Sequence, residues 1–132
     1  MEKYIEHFKG DRFATTNGIY IVECEPGYAK AAVEIGPDHL NGAGVVHGGL
    51  LFTLADFAFA VAVNTYGKVT LSVSTSMSYF DKSTEGIIYA EARELSRSNK
   101  LIHCDVLVKH ESGSLLASFK GTAYITSKDI TF

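Results

Sequence analysis

Two hydrophobic periods divide this chain. Residues 50–63 read LLFTLADFAFAVAV, in which only Thr53 and Asp56 are polar. A helix that is apolar on nearly every face is a buried one, and the pattern predicts it from about residue 48 to 64, with Gly67 near its stop. Beyond it the period falls to two. In residues 70–80, Leu71, Val73, Thr75, Met77 and Tyr79 are expected on one face, and Ser72, Ser74, Ser76 and Ser78 on the other. Residues 86–96, 101–110 and 114–126 predict three more strands, with turns at Asn99-Lys100 and Glu111-Ser112-Gly113. Upstream, residues 18–25 and 28–35 flank Pro26-Gly27 and predict a hairpin. Residues 2–9 place Tyr4, Ile5 and Phe8 on one face of a short helix. Pro37 fits the start of a one-turn helix leading to His39.

The order is a short helix, two strands, one long apolar helix and four strands. With no repeating βαβ unit, it implies an α+β fold in which an antiparallel sheet packs on one helix. One sheet covers only part of a helix that is apolar all round, so a second subunit is expected to cover the rest. The chain has 132 residues, enough for one core, and is read as one domain over residues 1–132.

Charge narrows the partners. The formal net charge is −3 and Lys and Arg form no runs, which argues against a nucleic-acid surface. The longest apolar stretch is too short to span a bilayer and contains Asp56. The N-terminal MEKYIEHFKG is charged and lacks the apolar core of an export signal. Cys24 and Cys104 are not spaced as a metal knuckle and read as free thiols of a cytoplasmic protein.

The candidate chemistry begins at Asp56. A carboxylate in an apolar helix pairs, shifts its pKa, or works as a general base or nucleophile. Upstream, residues 41–49 read NGAGVVHGG and deliver the chain into the helix. The free N–H groups of a helix N-terminus carry partial positive charge, and glycines allow close approach. Together they suit a developing oxyanion. The alternative is structural, with glycines that permit a tight loop and a histidine that pins it. Gly42-Ala-Gly44 lacks the remaining residues of a phosphate loop. His39, His47 and Asp56 have no helical ligand spacing for a metal. Gly49 and Asp56 lie seven residues apart, about 10 Å along a helix. That is too far for a base to serve an oxyanion site at the start of its own helix. Cooperation between them requires two antiparallel helices from two chains.

Asn41, Gly44, His47-Gly48-Gly49 and Asp56, followed by four strands, resemble the hotdog-fold acyl-CoA thioesterases, and within them the PaaI-like group of the phenylacetic acid pathway. The resemblance covers residues 18–127. It implies a sheet wrapped around one central helix, dimers and often tetramers, and hydrolysis of an acyl-CoA thioester to a free acid and CoA. It assigns the Gly48 N–H to the thioester carbonyl, His47 to holding the loop, and Asn41 to placing water or thioester. It makes Asp56 of the partner subunit the base or nucleophile. Aligning Tyr79-Phe80-Asp81-Lys82 with the family's aromatic-Leu-Arg-Pro stretch points to Ser72 as the hydroxyl that assists the acid, with Ser74 the alternative; Asp81-Lys82 departs from that pattern. Gly49, Ser74, Arg97, Ser98 and Lys100 are the implied substrate contacts, the last three near the CoA phosphates. No metal or redox cofactor is required, since CoA is part of the substrate. Phe52, Phe57, Phe59 and Tyr79 either line an acyl cleft or simply pack.

Two other functions remain open at this point. A hotdog dehydratase would act on a 3-hydroxyacyl thioester with a histidine base beside Pro-rich turns, and the chain has only 2 prolines. A non-catalytic acyl-CoA binding module would need no buried carboxylate.

Overall fold

The computed structural model describes residues 1–132. Helices α1 (Glu2–Phe8) and α2 (Arg12–Thr16) precede the hairpin β1 (Tyr20–Glu25) and β2 (Tyr28–Glu34). A 3-10 turn, Pro37–His39, leads through the glycine-rich loop into α3 (Gly48–Asn64). Strands β3 (Lys68–Tyr79), β4 (Ile87–Arg97), β5 (Leu101–His110) and β6 (Leu115–Asp129) complete one sheet. Its order is β1-β2-β4-β5-β6-β3, antiparallel at every pairing. This is the expected hotdog arrangement of a sheet wrapped on one long helix. Periodicity missed α2, a five-residue helix; a single turn carries too few residues to show a period, and the Asp11 cap, which accepts the Ala14 N–H at 3.0 Å, stands in for one.

Residue size sets how α3 sits. On β2 and β4 four of the residues facing it are alanines, with Ala29 opposite Ala92 and Ala31 opposite Ala90, all buried, before Val33 opposite Ile88. The helix therefore approaches this half of the sheet closely. Ile102, Val106, Val108 and Phe119 fill the other half against Leu54 and Phe59. Gly121 on β6 leaves room for the Phe59 ring, whose atoms would lie 2.7 Å from an added Cβ. At the helix end the buried Asn64 side chain donates to Ala60 O and Thr70 O and accepts the Thr70 N–H, tying α3 to the start of β3.

One stripe of α3 is not covered. Gly49, Phe52, Thr53, Asp56 and Ala60 are half-buried or exposed, whereas the remaining positions from Leu50 to Asn64 are buried. They recur at helical spacing and form a single face. Both sheet edges are open, and they differ. β1 carries Glu23 and Glu25 and a bulge between Ile21 and Glu23, features that discourage pairing. β3 is twelve residues long and carries no charge from Val69 to Phe80. No helix is long and apolar enough to cross a membrane.

Candidate active site

His47 is the N-cap of α3, and its Nδ1 accepts the Gly49 N–H at 2.7 Å. Its carbonyl accepts from Leu50 and Leu51. The Gly48 N–H is left over. As the first helical donor it has no acceptor within the helix, and no loop carbonyl or side chain takes it. One donor thus points outward at the positive end of a 17-residue helix. Gly49, an expected substrate contact, has its own N–H committed to His47, and an added Cβ there would lie 2.8 Å from Nδ1. The loop before it is shaped by Asn41, whose Oδ1 accepts from Ala43 at 2.9 Å and Val45 at 3.3 Å. That leaves the Asn41 amide NH2 as its free donor. Tyr79, at the end of β3, donates to Gly48 O at 3.3 Å and lays its ring beside Gly48.

Asp56 sits two turns further along, on the uncovered stripe. Its pKa is raised, first by burial and second by the negative charge of Asp11. The ion pairs of the chain all involve other carboxylates, so no cation offsets this. The eight residues from Gly48 span about 12 Å, so the chain does not bring Asp56 to its own Gly48.

The alternation expected along β3 is broken. Ser72 lies opposite Ala123, while the next paired residue, Ser74, lies opposite Thr122, so Val73 is an extra residue in a bulge. Directly opposed residues share a face. Ser72, Thr75, Met77 and Tyr79 therefore face α3, opposite the buried Ala123, Gly121, Phe119 and Ala117. Leu71, Ser74, Ser76 and Ser78 face outward. This corrects the expectation that the serines occupy one face, and it separates Ser72 from Ser74. β3 runs antiparallel to α3, with Tyr79 at Gly48 and Thr70 at Asn64. Asp56 lies between those anchors, and the β3 hydroxyls that face the helix there are Ser72 and Thr75, the latter one that strict alternation assigns to the apolar set. Ser72 lies further toward the C-terminal end of the helix.

The basic hairpin lies at the other end. Arg97 stacks on Tyr66, just past the C-terminus of α3, with its guanidinium carbon 3.8 Å from the ring centroid. It also pairs with Glu94 at 3.2 Å. Ser98 closes the β4–β5 turn by accepting the Leu101 N–H. Lys100 lines a separate groove with Lys68 and Tyr124. The length of α3, about 25 Å, separates these residues from Gly48 of the same chain. By contrast, a cleft of about 440 Å³ runs beside His47 and Gly49 to Thr53. Its other wall is Phe13, Asn17, His39 and Leu40, residues that carry no motif and meet here only through the fold.

Comparison with known proteins agrees with this architecture. A family model described as the thioesterase superfamily matches residues 43–117, more than half of the chain. A putative esterase of Archaeoglobus fulgidus is 38% identical over 92% of this chain and 80% of that protein. The acyl-coenzyme A thioesterase PaaI of Escherichia coli is 26% identical over 94% of this chain and 89% of that protein. A point-mutant structure of the phenylacetic acid degradation protein PaaI from Thermus thermophilus superposes with a TM-score of 0.84 at 37% identity, covering 88% of this chain and all of that one. The chain belongs to the thioesterase superfamily, in its PaaI-like group of hotdog thioester hydrolases.

Proposed function

We propose that the protein hydrolyses an acyl-CoA or aryl-acyl-CoA thioester to the free acid and CoA, at a site shared between two copies of the chain. The observation that carries this is the free Gly48 N–H, held outward by the His47 cap. A thioester carbonyl placed there accepts a hydrogen bond that strengthens as its oxygen becomes an oxyanion. The Asn41 amide NH2 donates to the water or the thioester.

The acid comes from across an interface. The uncovered stripe of α3 and the uncharged edge of β3 lie on the side of the chain left open by the sheet. Pairing two copies there buries both and runs the two helices antiparallel. Asp56 of the partner subunit then approaches Gly48. Its raised pKa makes it a stronger base than an ordinary carboxylate. It takes a proton from water as the hydroxide oxygen attacks the carbonyl carbon. Collapse of the intermediate breaks the carbon–sulfur bond, and the proton returns to the CoA thiolate. Ser72 or Thr75 of the same subunit, the two β3 hydroxyls on the α3 side, assists this carboxylate. The antiparallel arrangement also carries Arg97, Ser98 and Lys100 toward the partner's cleft, where CoA phosphates are expected. The acyl group occupies the cleft beside Phe13, Leu40, Leu50 and Phe52, whose volume suits a small-molecule site.

The test is thiol release from acyl-CoAs ranging from acetyl to palmitoyl and including phenylacetyl and benzoyl, with Asp56→Asn beside the wild type. Turnover by the wild type, reduced by about 10²-fold or more in the variant, supports the reading. Turnover unaffected by the substitution would overturn the mechanism. Tight binding of CoA esters without turnover would move the protein to the binding-module class.

A further inference from the structure

His39 is engaged at both ring nitrogens and at its main chain. Nδ1 accepts the Gly36 N–H at 2.9 Å. In the neutral ring the proton therefore sits on Nε2, which donates to the Asn17 carbonyl at 2.8 Å. Asn17 is the C-cap of α2. The carbonyl of His39 accepts the His47 N–H, also at 2.8 Å. One residue thus holds the end of α2 on one side and the N-cap of α3 on the other. The cleft lies between those two attachments, with Phe13 and Asn17 on one wall and His47, Gly49 and Thr53 on the other.

The α2 wall has little else to place it. Five residues are too few for a self-supporting helix, and only Ala14 of α2 is buried. Phe13 is 69% exposed and leans on the cleft rather than on the core.

We propose that His39 is a positioning residue for the hydrolysis, setting the distance between the α2 wall and the loop that presents Gly48. The inference rests on the thioesterase reading. His39 touches no reacting atom in it. The ring acts through Asn17 on the wall that receives the acyl group, and the main chain acts through His47 on the oxyanion site. A misplacement of about 1 Å remote from the chemistry costs up to about 10²-fold in rate.

Three substitutions separate the two ring bonds. In His39→Asn, Oδ1 takes over the Gly36 bond but the side chain is too short for Asn17. In His39→Gln, Nε2 takes over the Asn17 bond and the Gly36 bond is lost. His39→Ala loses both. For the bulkiest ester that the wild type hydrolyses, His39→Asn is expected to raise KM about tenfold with kcat changed by less than about twofold. His39→Gln is expected to stay near the wild-type KM. His39→Ala is expected to lose about 10²-fold in kcat/KM. Amide exchange gives a readout independent of activity: residues 12–18 exchange faster in His39→Asn and His39→Ala but not in His39→Gln. An unchanged KM in His39→Asn, or equal losses in all three variants in proportion to a fall in unfolding midpoint, would overturn the proposal. If the wild type hydrolyses no thioester, the functional reading fails, and the exchange pattern still decides whether His39 tethers α2.

Discussion

The His47 Nδ1 accepts the Gly49 N–H at 2.7 Å, so the residue that caps the central helix selects which backbone donor stays free. Were Gly49 free instead, the outward N–H would point from a different turn position. The two glycines have unequal duties: Gly48 presents a donor, and Gly49 makes room for the ring that holds it there.

Gly49→Ala tests that division. The added Cβ would meet Nδ1 at 2.8 Å and its neighbour Cε1 at 3.1 Å, forcing the imidazole off the cap. Loss of an N-cap costs about 1 kcal/mol. We expect a lower urea midpoint and a drop in kcat larger than the stability loss explains.

The hydroxyls of β3 should behave differently according to face. Thr75→Val and Ser72→Ala, both on the α3 side, are the substitutions expected to lower kcat, by about tenfold or more for the hydroxyl that meets Asp56. Ser74→Ala, on the outer face opposite Thr122, should leave kcat unchanged. Steady-state kinetics of the three variants, measured together, check the order.

Asp56 should cost stability as it ionises. Its folded pKa is raised, so the folded state binds more protons than the unfolded state between the two pKa values. Its favourable contribution is fully present below the ordinary Asp value of 3.8 and is lost as pH rises through the raised folded value. Asp56→Asn cannot ionise. We expect the variant to gain stability relative to the wild type as pH increases across that window, and to keep the gain at neutral pH while activity is lost. Denaturant titrations at a series of pH values measure this directly.

Gly121→Ala should destabilise the core. Its Cβ would fall within 2.8 Å of three atoms of the buried Phe59 ring. Overpacking of this kind costs about 1–3 kcal/mol, read as a lower unfolding midpoint at unchanged denaturant slope.

A charge on the β3 edge tests the shared site. Val73, in the bulge, is 60% exposed in the single chain. Val73→Lys places a cation in the stretch from Val69 to Phe80, which is otherwise uncharged. Analytical ultracentrifugation is expected to show a dissociated protein with little activity. A variant that dissociates and keeps full activity would remove the requirement for a partner's Asp56.

The sequence by itself determined the kinds of element and their order. The apolar run placed α3 at residues 48–64, the bounds the structure has, because a helix apolar on nearly every face has no broad polar face to interrupt the pattern. The lone Asp56 and the His-Gly-Gly turn were visible for the same local reason, as departures from their surroundings. Only the tertiary structure decided what depends on one extra residue or on distant partners. The bulge at Val73 inverts the faces of Leu71 and Ser72 relative to strict alternation, and a bulge leaves no mark in a period-two reading because each flank still alternates. The cleft wall of Phe13 and Asn17 depends on a hydrogen bond to His39 across 22 residues, between positions with no shared motif. The distance from Arg97 to the Gly48 loop follows from the rigid length of α3, and the donor left free at Gly48 follows from the rotamer of His47. Periodicity records which side of an element meets the core; it carries no information on which particular groups meet one another.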